Sequence, residues 1–163
     1  MTDLDLPALE DVLNTSAQII RETSLDFTRY LLTSLLDPPR LTILKGARGV
    51  GKTTLLLQLA KKMQKAKKTV YLSLDHIFFS RHLLYYTISH LRKQGFTFFV
   101  LDEVHRYNDW STEVKNIYDH FTDITILATS SSALDLGKGV GDLSRRAVVY
   151  HLRGLSFREY PSF

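Results

Sequence analysis

Cysteine is absent from the 163-residue chain, which excludes disulfide stapling and any thiolate metal centre. No apolar run approaches the roughly 18 to 20 residues that a membrane span requires, and Phe96–Leu101 is broken by Thr97. The opening Met1-Thr2-Asp3-Leu4-Asp5 is acidic and lacks the basic and apolar regions of a signal peptide. The six histidines show no His-Glu-x-x-His spacing. No Asn-Lys-x-Asp stretch is present to read guanine, which leans towards adenine nucleotides. Internal repeats and low-complexity tracts are also missing. Nothing requires an oxidising compartment, so the expectation is a cytoplasmic protein.

What remains is ordinary globular material. At 44% hydrophobic and 23% charged, the chain has too much apolar content to be disordered over most of its length. Its length suits one compact domain. The formal charge of +4, from 21 Lys+Arg against 17 Asp+Glu, permits binding to nucleotide phosphates or nucleic acid without requiring either.

Residues 1–39 read as a helical lead-in packed on the core, with Leu9, Val12, Leu13, Ile19 and Ile20 near helical spacing. Pro38 and Pro39 stop any helix there. From residue 40 to 163, short apolar runs alternate with amphipathic stretches. Strands are expected at 41–45, 69–73, 96–101, 124–128 and 147–152. Helices are expected at 52–66, 80–94 and 111–120, the last opened by a good N-cap. This alternation predicts an α/β fold, a parallel sheet covered on both faces.

Between the first strand and the first core helix lies Gly46-Ala47-Arg48-Gly49-Val50-Gly51-Lys52-Thr53, continued by Thr54. It matches G-x-x-x-x-G-K-[ST] at every fixed position, in the strand–loop–helix context the motif needs. Glycines let the backbone wrap an anion, and the amides and helix N-terminus supply positive potential. Lys52 would reach the β- and γ-phosphates, and the Thr53 hydroxyl would contribute to Mg²⁺ coordination. About 50 residues later, Phe98–Leu101 runs into Asp102 and Glu103. Asp102 fits the aspartate that holds Mg²⁺, and Glu103 is the candidate general base polarising the attacking water. A glutamate there favours hydrolysis over small-molecule phosphorylation.

Further candidates lie downstream. The fourth strand ends in hydroxyls, of which Thr129 or Ser130 would sense the γ-phosphate or, equally, cap a following helix. Arg145 and Arg146, at the end of an expected helix, are candidates for a charge-neutralising arginine, surface ion pairing or anchoring of a following segment. Lys61, Lys62, Lys65, Lys67 and Lys68 read as a solvated basic face, with nucleic-acid contact as the sharper alternative. Asp75 reads as a turn or cap residue, or a more distant acid of the site. His105 either lies near the nucleotide or closes the loop to Trp110.

These residues, together with Leu101–Tyr107, Leu143–Arg146 and the closing Leu152–Tyr160, resemble the prokaryotic predicted ATPases of the AAA+ superfamily, whose AAA domain is followed by a C-terminal domain. The resemblance covers roughly residues 25–160, and Gly154–Tyr160 is its most family-specific part. It implies a three-layer P-loop ATPase core of the additional-strand type, with sheet order 5-1-4-3-2. It also implies Lys52 and Thr53 as nucleotide and magnesium contacts, Asp102 and Glu103 as Walker B, Thr129 or Ser130 as sensor, and Arg145 or Arg146 as the late arginine. Family members read Thr-Gly-Ser-Ser at the sensor strand, whereas Ser130 stands at the glycine here. The chain is expected to be a fragment or a naturally shortened member, ending before the lid and C-terminal domain. The expected cofactors are ATP and Mg²⁺, and the expected activity is ATP hydrolysis. An ATP-dependent switch with little turnover is the alternative. A second copy of the chain, nucleic acid and a protein client are the candidate partners.

Overall fold

The computed structural model describes residues 4–131, 143–156 and 158–159. The strands are β1 Leu41–Gly46, β2 Thr69–Ser73, β3 Phe98–Asp102, β4 Thr125–Ser131 and β5 Val148–His151. They form one five-stranded sheet in the order β2-β3-β4-β1-β5, and all four pairings are parallel. This is the expected order read from the opposite edge. Every strand therefore ends at the same margin of the sheet, where Gly46, Ser73, Asp102 and Ser131 meet the loops.

Helices α1 Leu6–Glu22, α3 Lys52–Met63, α4 Leu84–Lys93 and α5 Trp110–His120, with the single turn α2 Leu31–Ser34, supply the outer layers. Side-chain alternation divides the core. Ile43, Leu72, Phe99, Leu101 and Ile126 pack with α4 and α5 on one face. Leu44, Phe98, Val100 and Leu127 pack with α3 on the other. Strands buried on both faces must be apolar throughout, and β3 is buried at all five positions.

The lead-in is a helix along the sheet's edge. Asp5 caps α1 by accepting from the Ala8 amide at 3.0 Å, with Pro7 in the first turn. Leu9 and Val12 enter one core and Ile20 the other. Ser16 Oγ accepts the Tyr71 amide of edge strand β2 at 2.8 Å, so α1 satisfies a donor that an open edge would leave exposed.

The expected helix over 80–94 divides. A 3-10 turn spans Ile77–Ser80, capped by His76 through the Phe78 amide at 3.1 Å. Helix α4 then starts at Leu84 without a capping side chain of its own. Its first amides are satisfied from elsewhere, Leu84 by the Tyr107 hydroxyl and Tyr85 by Glu113. Helix α5 likewise lacks the expected local cap: Asp109 precedes it in a left-handed conformation, φ 55°, with no side-chain bond. The segment expected to be a helix before Arg145 and Arg146 lies largely outside the described residues.

Among the described residues no helix is long and apolar enough to cross a membrane.

Candidate functional site

The phosphate loop joins β1 to α3 at the sheet margin. Gly49 (φ 78°) and Gly51 (φ 96°) occupy the left-handed region, which favours glycine. Gly46 is needed for a different reason: a Cβ there would stand 2.6 Å from the Leu152 carbonyl oxygen and 2.9 Å from Val50. Helix α3 starts immediately at Lys52, so its first amides, which have no partner within the helix, face the loop. The Lys52 side chain is buried, with Nζ 2.9 Å from both the Gly46 and Ala47 carbonyl oxygens.

Asp102, at the end of β3, is the hub. Its Oδ2 accepts from the Thr53 hydroxyl at 2.7 Å and from the Tyr71 hydroxyl at 2.8 Å. Its Oδ1 accepts from the Thr129 hydroxyl and from the Glu103 amide at 3.1 Å. Thr129 in turn accepts from that same amide at 3.0 Å. Burial, then the negative charge of Asp102 and the bond to it, push the Tyr71 hydroxyl well above the ordinary tyrosine range. Tyr71 is therefore a permanent donor to this carboxylate.

Glu103 takes a left-handed backbone, φ 54°, a conformation that persists in a non-glycine residue only where its surroundings over-determine it. The carboxylate, about one-third exposed, lies 3.1 Å from His105 Nε2, and His105 Nδ1 accepts from the Ser131 amide at 3.4 Å. His105 thus sits at the site itself. Arg48, Gly49, Gly51, Lys52, Thr53 and Thr54 line a cleft of about 740 Å³ with Ser73, Asp75, Asp102, Glu103, His105, Arg106 and Ser131. Asp75 also bonds locally, accepting from Ser73 Oγ at 2.6 Å.

A smaller cavity of about 340 Å³ opens on the other side of the loop, among Phe27, Arg29, Val50, Leu55, Gln58 and Leu155. Buried Gln58 holds its roof by donating to the Ser24 and Phe27 carbonyls. Arg29 donates to Val50 O in the loop, to Arg153 O and Gly154 O beyond β5, and to Glu159 at 3.0 Å. Burial pushes the Glu159 carboxyl up, but the Ser156 amide, Arg29 and the Tyr30 amide outweigh it and leave the group at about 2.

The remaining candidates fall elsewhere. Ser130 points to the opposite face from Thr129; its hydroxyl is buried with no partner among the described residues. Arg146 makes a two-pronged pair with Asp119 at 2.8 and 3.0 Å, and Arg145 is exposed. Neither lines the cleft, whose guanidiniums are Arg48 and Arg106. Residue patterning gave no role to Tyr71, Arg29, Gln58 or Glu159. The one available signal was the family-specific closing motif that contains Glu159.

A parallel sheet of this order, with the phosphate loop on β1 and the acidic pair at the end of its neighbour-but-one, defines a P-loop nucleotide-binding module of the AAA+ type. The family model described as "AAA domain" matches residues 38–161, and the chain belongs to that family. It is 34% identical over 134 residues to the Methanocaldococcus jannaschii protein named "Uncharacterized protein MJ1637", a match covering 76% of this chain and 28% of that protein. The chain therefore spans little more than a quarter of this relative. Among solved structures it is similar to C. elegans PCH-2, with a TM-score of 0.52 and 22% identity, covering 96% of this chain and 44% of that one. AMPPCP-bound DnaA from Aquifex aeolicus gives a TM-score of 0.53 at 15% identity, covering 92% and 48%. At these identities the structural neighbours bear on the fold alone.

Proposed function

We propose that the chain binds MgATP in the Gly46–Thr54 loop and hydrolyses it by attack of a Glu103-oriented water on the γ-phosphorus. The observation that carries this reading is the junction of Thr53, Asp102 and Thr129 beside the loop, with Glu103 one residue further on.

The donor set fits Mg²⁺, because a threonine hydroxyl and a carboxylate are hard oxygen ligands and lie side by side at 2.7 Å. Magnesium held there would neutralise charge on the β- and γ-phosphate oxygens. Asp102 already receives four donors, so it would hold the ion through a water molecule. Lys52 would exchange its two carbonyl partners for phosphate oxygens. The small cavity beyond Val50 suits the base: its walls are largely apolar, and Arg29 and Gln58 are engaged in holding them. In the chemical step Glu103 accepts the proton of the attacking water, the bond to the β-phosphate bridging oxygen breaks, and phosphate and ADP leave. Helix N-terminus, Lys52 and loop amides stabilise the charge that develops.

The catalytic arginine is proposed to come from a second copy of the chain, supplied by Arg145 or Arg146; Arg146 would first have to leave Asp119. An ATP-dependent switch is favoured by one specific observation. Arg29 ties the loop carbonyl of Val50 to Arg153, Gly154 and Glu159, so a change in the loop on binding is felt where the chain leaves the sheet. Nucleic-acid contact has less support. Lys61 is spent on the Arg21 and Thr23 carbonyls and Lys68 on Gln94, while Lys67 lies over Phe98.

The test is ATP turnover with Mg²⁺ beside Lys52→Ala and Glu103→Gln. Hydrolysis at this site requires that both variants lose turnover while Glu103→Gln still binds ATP. ATP binding without turnover in wild type and Glu103→Gln would favour the switch.

A further inference from the structure

We propose that His105 is a positioning residue for Glu103, acting from a single tautomer fixed by the end of β4. The inference rests on the reading of Glu103 as the water-orienting group. It begins with the backbone. Glu103 is reversed into the left-handed region, and its amide is shared between Asp102 Oδ1 and Thr129 Oγ1. Those bonds fix the main chain but leave the side-chain torsions undetermined. A carboxylate on a rotatable stem orients water poorly, because small misplacements at a reacting centre are costly.

His105 supplies the missing constraint. It lies in the 3-10 turn Val104–Arg106, closed by the Arg106 amide on Glu103 O at 2.9 Å and pinned by fully buried Val104. Its side chain is 10% exposed against 34% for Glu103, so the ring is the anchored partner. Nδ1 faces the Ser131 amide at 3.4 Å. An N–H donor there requires an unprotonated Nδ1, which leaves the proton of the neutral ring on Nε2. Nε2 is the atom 3.1 Å from Glu103 Oε2. The ring thereby stands against one carboxylate oxygen, where its Nε2 proton faces Oε2, and leaves Oε1 to accept from water.

The consequence is a common support for the acidic pair. β4 holds Asp102 through Thr129 and Glu103 through Ser131 and His105. The two carboxylates are thus registered against one strand, which lies next to the phosphate-loop strand β1.

The test uses this chain with His105→Ala, His105→Asn and His105→Gln, alone and with Glu103→Gln. His105→Ala should lower kcat about tenfold or more while the nucleotide Kd changes less than twofold. His105→Gln, whose amide nitrogen reaches the place of Nε2, should recover most of that loss. His105→Asn should not. In the Glu103→Gln background His105→Ala should cost nothing further.

Long-range ¹⁵N–¹H correlation on the wild-type chain, which needs no variant to fold, should show His105 protonated at Nε2. Glu103→Ala should shift that nitrogen. If Glu103→Gln abolishes turnover and His105→Ala does not change it, the proposal is overturned while the reading of Glu103 stands. If Glu103→Gln leaves turnover intact, that reading fails instead. A proton on Nδ1, or an Nε2 signal indifferent to Glu103→Ala, overturns the proposal whether or not the chain turns over ATP.

Discussion

Single atoms decide much of this site. Gly46 is glycine because the backbone of Leu152 passes where a Cβ would lie, at 2.6 Å. The nearest obstruction is backbone, so a shift of the Val50 side chain, at 2.9 Å, would not by itself make room. Gly46→Ala is therefore expected to cost about 1–3 kcal/mol of stability, readable as a lower urea midpoint with unchanged slope, and to weaken nucleotide binding with it. Tyr71 makes the complementary point. Its hydroxyl is a fixed donor to buried Asp102, and Tyr71→Phe removes one of the bonds that hold this carboxylate in low dielectric. A loss of about 1–3 kcal/mol is expected, along with a higher Mg²⁺ concentration for half-maximal ATP binding. If Tyr71→Phe matches wild type in both measurements, the hydroxyl is not part of the site. Neither residue's role was visible in the sequence. The three loop glycines read alike as residues that let the backbone wrap an anion; positive φ falls at Gly49 and Gly51, and the close approach of Leu152 to Gly46 is set by the tertiary fold. Tyr71 read as one more aromatic residue in a strand.

At the scale of elements, the clasp of Arg29 and Glu159 joins the segment before α2, the phosphate loop and the segment after β5. Both side chains are nearly buried, at 11% and 6% exposure, and the partners lie 130 residues apart. Removing one partner of such a pair strands the other, which is costlier than the pair is stabilising. The pH dependence follows from the lowered carboxyl. Glu159 sits at about 2 in the folded chain against an ordinary 4.5, so its contribution to stability is complete above 4.5. It is lost as pH falls from there towards about 2. Denaturant titrations at several pH values across that window should show wild type losing more stability than Glu159→Gln. Equal slopes for the two proteins would contradict the assignment. Separations of this length explain why sequence patterning found the strands but not the clasp. Shorter separations, of 23 and 28 residues, explain the divided helix over 80–94, since α4 is capped by Tyr107 and Glu113, residues of a different segment.

For the whole molecule, the alternation of apolar runs and amphipathic stretches made the parallel sheet legible, and the family resemblance made its order legible. The first follows from burial on two faces, a constraint written most fully into β3, buried at all five positions, and least into the edge strand β5. The Gly46–Thr54 loop and the Asp102–Glu103 pair were legible because their chemistry is local and their spacing regular. For Arg146 a surface ion pair was among the expected roles, but its partner depends on tertiary placement: it is Asp119, whose carboxyl the Arg146 guanidinium holds below the usual range. The result is a P-loop module whose acidic pair is held between β1's loop and β4's tip. Hydrolysis at that junction is tested most directly by ATP turnover with Mg²⁺ in wild type, Lys52→Ala and Glu103→Gln, with ATP binding measured on the same samples. The expected result is turnover in wild type alone, with ATP still bound by Glu103→Gln. Undiminished turnover in Glu103→Gln would contradict it.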